Sequence, residues 1–322
     1  MSHSAIPKSP QGPSGTTHGE ILWWTLTIEA ERKGSCDDVV RHMVAPLSAQ
    51  ARAWGSYRFG FARNFDSEKP QVRFHLRAHA GAVDRVWKFA HALAEEREAQ
   101  LGAVTLTELQ SLVYPPKPGR PIPAAMEAVF AQYGGMEGMQ LVAEVSELAS
   151  DLAIWSVNRF PARKTRESLA ALLLFDAAHS MMWGPRSARW ADRRTVSWDY
   201  YWNTHLNTCT SSFGARAEQA RRTMRDQTVQ RLTGAHRKMA VLQAEPSVDV
   251  WRKRWARAVD MYLFRADKKR ISRSAQQMVL AESMVLCNRM GFSPREEAVL
   301  GFYAQAWSSG RESPDEDHPH SR

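Results

Sequence analysis

The sequence predicts an α+β fold, a small ferredoxin-like sheet at the N-terminal end packed with a larger, mostly helical C-terminal half. Three observations carry this. Short β-rich apolar runs occur before residue 114, a Pro-rich stretch follows, and the later periodic segments all have three-to-four spacing. The first half opens with a β-rich run at Ile21–Ala30. Asp37–Trp54 then has helical spacing through Val40, Met43, Val44, Leu47 and Ala51. Tyr57–Phe65 reads as a strand with imperfect alternation, and Val72, Phe74 and Leu76 alternate with Arg73, His75 and Arg77 in the next. Asp66-Ser67-Glu68-Lys69-Pro70 supplies the hairpin turn between them. Val83–Leu101 is an amphipathic helix through Val83, Val86, Trp87, Ala90, Leu93 and Ala94, and Val104–Val113 returns to strand. The order β-α-β-β-α-β is the split βαβ pattern of a ferredoxin-like sheet.

From Tyr114 to Pro123 the prolines exclude a continuous helix or a central strand, which leaves a linker or a long ordered crossing. Helical spacing then marks Ala124–Gln132, Met139–Ile154, Arg166–Met182, Arg216–Leu242, Val248–Phe264, Ser274–Arg289 and Arg295–Trp307. The expected organisation is a disordered segment 1–19, an α/β half 20–113, a Pro-rich linker 114–123, a helical half 124–309 and a disordered acidic tail 310–322. Both ends are rich in small and polar residues that bury no apolar area.

Composition narrows the class. Hydrophobic residues at 43% and 322 positions in all suffice for a sizeable core. Cys36, Cys209 and Cys287 are too far apart in sequence for a disulfide framework or a Cys-x-x-Cys knuckle, which fits a reducing compartment. The sequence has neither a membrane-length apolar run nor the apolar core of a signal peptide, so a cytoplasmic location is expected. A net charge of +9 calls for an acidic partner, whether nucleic acid, an anionic membrane or an acidic peptide.

The common catalytic signatures are missing: no Gly-x-Gly-x-x-Gly after a strand, no P-loop, no His-Glu-x-x-His and no Gly-x-Ser-x-Gly. His75, His179 and His205 are read as lacking a ligand-type neighbour at i+3 or i+4, so no metal and no cofactor is expected. Arg73, His75 and Arg77 share one face of their strand, turned either to water or to a cleft under the helical half. Arg216–Arg231 and Trp251–Arg273 are arginine-dense, and the second interleaves Trp251, Trp255, Tyr262 and Phe264. That suits either phosphate and base contacts or an ordinary helix core stripe. Trp198-Asp199-Tyr200-Tyr201-Trp202-Asn203 is dense enough to wall a groove, although core packing accounts for most Trp residues.

Three stretches together resemble one family. Lys69-Pro70-Gln71-Val72-Arg73-Phe74-His75-Leu76 looks like the Gly-Pro-His-Leu-Arg-Leu-Arg strand of lantibiotic-dehydratase C-terminal domains. Gln132-Tyr133-Gly134-Gly135 is similar to their Arg-Tyr-Gly-Gly turn. Cys287-Asn288-Arg289-Met290-Gly291, followed by Glu296-Glu297, resembles their C-terminal His-Met-x-x-Asn-Arg-x-x-Gly helix. The ordered set covers most of residues 20–307.

The resemblance implies an enzyme that eliminates glutamate from glutamylated Ser or Thr, using arginines and a histidine. Here the second strand arginine is His75, the arginine before Tyr-Gly-Gly is Gln132, and the helix histidine falls at Met284 or Ser283. That departure is similar to the thiopeptide pyridine synthases, stand-alone members that join two dehydroalanines in a formal [4+2] cycloaddition and expel water and the leader peptide. The implied roles are Ser283 as relay, Glu127 as acid/base and Tyr303 as a further proton donor. Arg73, His75, Tyr133, Asn288 and Arg289 would bind substrate, and Trp202 would stack on a thiazole. The implied partner is a modified precursor peptide with an acidic leader. Two alternatives stay open: glutamate elimination, and a non-enzymatic basic module that binds peptide or RNA.

Overall fold

The computed structural model describes residues 19–31, 36–117, 119, 122–186, 189 and 196–309. Strand β1 (Ile21–Ala30) buries Leu22, Trp24, Leu26, Ile28 and Ala30, the alternation of a half-covered strand. A helical stretch follows as α1 (Cys36–Val39), a π-helical turn (Val40–Val44) and α2 (Ala45–Ala53). Strands β2 (Arg58–Asn64) and β3 (Gln71–His79) form the hairpin. Then come α3 (Ala80–Glu96), the short α4 (Glu98–Leu101) and β4 (Val104–Val113). All neighbouring strands are antiparallel in the order β2-β3-β1-β4, the arrangement the sequence predicts.

One sheet face buries Phe74, Leu76, Ile28 and their neighbours against α1–α3, because α3 turns Val83, Val86, Ala90 and Leu93 toward it. The other face carries Thr25, His75 and Arg77 and meets the helical half. That half begins at α5 (Ala124–Gln132) and continues with α6 (Met136–Arg159) and α7 (Arg163–Trp183). Its remaining helices are α8 (Trp198–Thr210), α9 (Ala217–Val229), α10 (Leu232–Gln243), α11 (Pro246–Lys268), α12 (Ala275–Met290) and α13 (Pro294–Ser309). Helices α6 and α12 lie against β2, so a single hydrophobic core runs from the sheet into the bundle.

The helical half departs from expectation in two places. The predicted helix Arg216–Leu242 is broken at Gln230-Arg231, and a 3-10 turn at Ser211–Arg216 leads into it. The break has a packing cause: α9 buries only Met224 and Thr228, whereas Met239 and Leu242 of α10 are drawn into the main core. The aromatic run at Trp198 forms α8, started by Ser197, whose Oγ accepts the Tyr200 N–H at 3.2 Å. The Pro-rich stretch is tied down at both described ends, since Tyr114 and Ile122 pack with Met126 and Phe130.

A buried ionic cluster fastens the two halves together. Asp37 of α1 takes a 2.6 Å contact from Arg63 of β2 and a second contact from Arg166 of α7. Arg63 Nε also donates to the Arg289 carbonyl at 2.9 Å. Among the described residues no helix is long and apolar enough to cross a membrane. The expected disorder at 1–19 and 310–322 lies outside the described residues except at Gly19, which forms a turn before β1.

Candidate functional site

A cavity of about 290 Å³ lies between the sheet and helices α5, α6 and α12. Trp23, His75 and Arg77 come from the sheet, Gln132 and Tyr133 from the end of α5, and Arg289 from α12. Met139, Val142 and Val285 make the helical wall mostly apolar. The Tyr-Gly-Gly turn shapes it: Gly134 and Gly135 have φ of 77° and 98°, and a Cβ on Gly134 would come within 2.6 Å of Ile271. Only glycine fits there without strain.

Arg289 is buried and fully engaged. Its Nε donates to the Phe61 carbonyl at 2.5 Å, and its terminal nitrogens donate to the carbonyl and the Oγ of Ser146. Gly60 leaves room for it, since a Cβ there would lie 3.1 Å from Arg289 Nη2. Burial pulls this guanidinium down to about 10, so it stays charged at neutral pH. His75 is half-buried, with Nδ1 3.1 Å from Thr25 Oγ1. Burial, followed by the positive charges of Arg289 and Arg73, lowers it to about 4 and keeps the ring neutral.

Glu282 is the unusual group. It is buried on α12 one turn before Val285 and two turns before Arg289, on the same helical face. Neither carboxylate oxygen has a well-formed hydrogen bond among the described residues, and the Tyr133 hydroxyl offers only a weak one. Burial pushes Glu282 up to about 7, against the opposing pull of Arg289 and Tyr133. The Tyr133 and Tyr262 hydroxyls are raised as well, first by burial and then by the Glu282 charge. A carboxyl balanced between its two forms therefore sits behind a tyrosine that lines the cavity.

The residues singled out from sequence do not all meet there. His75, Tyr133 and Arg289 line the cavity. Arg73 is exposed farther along β3, and Asn288 pairs with the Arg63 backbone instead of facing the cavity. Glu127 is exposed on α5. Ser283 is buried on another side of α12, beside Tyr201. Tyr303 lines a separate space with Lys164, Glu167 and Arg231. Trp202 is fully buried among Trp198, Tyr201 and His205 and donates to Ser308 Oγ, so it has no face free to stack on a ligand.

Sequence reasoning missed Glu282, whose signal was a carboxylate on a helical face that otherwise carries Val285 and the kept Arg289. The expectation about His205 is corrected: Cys209 stands four residues on along α8, with its Sγ 3.7 Å from His205 Nε2. Glu297 of α13 meets the same nitrogen at 3.1 Å.

This architecture has relatives. The tRNA-dependent lantibiotic dehydratase MibB from Microbispora sp. 107891 is similar with a TM-score of 0.54 at 18% identity, over 95% of this chain and 29% of that one. The pyridine synthase TbtD from thiomuracin biosynthesis gives 0.56 at 16% identity, covering 89% of this chain and 98% of its own. TsrL gives 0.58 at 12% identity, over 91% and 96% respectively. The chain thus spans under a third of MibB and nearly all of the other two. At such identities the likeness establishes the fold. Comparison with curated protein sequences gives no match. The family described as lantibiotic biosynthesis dehydratase C-term matches residues 23–307, and the chain belongs to that family.

Proposed function

We propose that the chain is a pyridine-forming enzyme of thiopeptide assembly, which carries out a formal [4+2] cycloaddition between two dehydroalanines of a leader-bearing precursor. The observation that carries the reading is a buried, unpaired carboxyl, Glu282, set behind Tyr133, which lines the inter-half cavity. The neutral His75 of the same cavity supplies a hydrogen-bonding group for substrate amides, and Arg289, held by Phe61 and Ser146, supplies a fixed positive charge beside it.

The reaction asks for positioning and proton transfer. The amide N–H proton of one arm moves to its carbonyl oxygen, giving an iminol. The resulting azadiene adds to the second alkene, forming two C–C bonds. Water then leaves with one ring proton and the leader carboxamide with another, which completes the aromatic pyridine. Holding two arms of one substrate face to face contributes up to about 7–11 kcal/mol in the best intramolecular cases. A cavity of about 290 Å³ suits the forming ring and its nearest substituents, with the rest of the peptide outside.

Protons are handled by Tyr133 at the cavity and Glu282 behind it. A carboxyl with a pKa near 7 both donates and accepts at physiological pH, which is the requirement for iminol formation followed by loss of water. Partly exposed Arg77, together with the net charge of +9, favours an acidic leader.

The test is mass spectrometry of the chain incubated with a thiazole-containing, dehydroalanine-bearing peptide still joined to its leader. Release of the leader carboxamide, with a core lighter by leader plus water, supports cycloaddition. An unchanged peptide, alongside loss of glutamate from a glutamylated precursor, replaces the reading with elimination.

A further inference from the structure

We infer that His205, Cys209 and Glu297 form a binding site for a zinc-like dication on the far side of α12. The three lie outside the cavity described above and are fully buried. His205 and Cys209 are one turn apart on α8, a spacing that turns both side chains to one point, and α13 brings Glu297 to it.

The distances fit the ion. Nε2 of His205 is 3.1 Å from Glu297 Oε1 and 3.7 Å from Cys209 Sγ, and the three ligand atoms lie within 4.8 Å of one another. Nitrogen, oxygen and sulfur ligands of tetrahedral zinc, bonded at about 2.0–2.3 Å, stand about 3.3–3.8 Å apart. A mixed imidazole, thiolate and carboxylate set suits zinc or cobalt better than magnesium or calcium. Cys287 of α12 stands outside this set of three as a buried neighbour, its thiol pushed up by burial and then by the charges of Glu297 and Cys209.

The surroundings need a cation. Among the described residues the Glu297 carboxylate has no lysine or arginine partner, and His205 is its only hydrogen-bonded neighbour. A buried carboxylate paired this sparsely is costly. The Tyr201 hydroxyl, which lacks a well-formed partner and feels the charges of Glu297 and Cys209, can serve as an outer-shell donor. Gly301 points the same way. A Cβ there would come within 2.6 Å of His205 Nδ1, so the middle of α13 carries a residue that weakens a helix by about 0.5–1 kcal/mol and thereby keeps the imidazole in place. A metal here would tie α8 to α13 behind the helix that carries Glu282 and Arg289.

The full chain, produced with zinc supplied and then desalted, is assayed for metal by mass spectrometry, and the chelator-stripped chain is titrated with Co²⁺. We expect about one zinc per chain and a thiolate-to-cobalt charge-transfer band. Cys209→Ser and His205→Gln should each weaken Co²⁺ binding by about tenfold or more, and Cys209→Ser should abolish or strongly reduce the band. Circular dichroism checks that the variants are folded. Should they not fold, the wild-type chain decides alone, by a lower melting temperature after chelation that zinc restores. A folded wild-type chain that is purified without metal and gives no thiolate band with Co²⁺ overturns the proposal.

Discussion

Asn288 holds the backbone of Arg63 at both ends: its Oδ1 accepts the Arg63 N–H at 2.8 Å and its Nδ2 donates to the Arg63 carbonyl at 3.0 Å. These are the bonds a neighbouring strand would make, and β2 is an edge strand. Arg289 adds a bond to the Phe61 carbonyl two residues earlier, so α12 closes the open edge with side chains. The same two residues therefore fix the helix that bears Glu282 relative to the strand that bears Gly60.

Removing that clamp should be expensive. Asn288→Ala leaves the Arg63 N–H and carbonyl without their partner, at an expected cost of about 1–3 kcal/mol in urea unfolding. A loss below about 0.5 kcal/mol would mean that water takes over both bonds.

The proton relay predicts a split between binding and turnover. Glu282→Gln and Tyr133→Phe should each lower the cycloaddition rate by about a hundredfold or more while leaving precursor binding intact. Wild-type turnover should also show a titration near the value of about 7 that burial gives Glu282, and Glu282→Gln should lose it. Equal losses in the two variants with no change in the pH profile would assign both residues a packing role.

Stability against pH provides a test that needs no substrate. Glu282 is raised from 4.5 to about 7 in the fold, so its contribution to stability falls as pH rises through that window. His75 is lowered from 6.5 to about 4, so its contribution falls as pH drops from 6.5 toward 4. The two windows overlap with opposite sign and offset each other. Glu282→Gln should therefore expose the His75 slope, with unfolding free energy rising by about 1–3 kcal/mol between pH 4 and 6.5. His75→Gln should expose the reverse slope. Parallel profiles for both variants would show that the two groups do not titrate in these windows.

Much of the sheet was legible because its signals are local. The Val72, Phe74, Leu76 alternation and the turn before it fix β3, and Val104–Val113 was bounded as it is found. The site was only partly legible, because its partners are brought together by packing. The kept Arg289 and Tyr133 were anticipated on resemblance, and both line the cavity. Nothing local distinguishes Ser283 from Glu282. One is set beside Tyr201 and the other behind Tyr133 by about 100° of helical rotation, and only the docking of α12 on β2 decides which side meets the cavity. Glu127 illustrates the converse: its place before Tyr-Gly-Gly is suggestive in sequence, yet α5 turns it to solvent.

The Asp37 cluster offers the sharpest stability test, because one carboxylate serves two buried arginines. Burial raises the Asp37 carboxyl, but the charges and hydrogen bonds of Arg63 and Arg166 outweigh it and leave the group below its ordinary value. Its contribution is present above the unfolded carboxyl range and is lost as pH falls through the lowered folded value. Asp37→Asn keeps the shape but leaves Arg63 and Arg166 facing each other without a counter-charge, which should cost about 3–5 kcal/mol. Double replacement of the arginines by methionine, together with Asp37→Leu, should recover most of that loss, since an apolar set of similar volume carries no desolvation penalty. A single Asp37→Asn variant as stable as the wild type would mean that water reaches the cluster and that α1, β2 and α7 are held by packing alone.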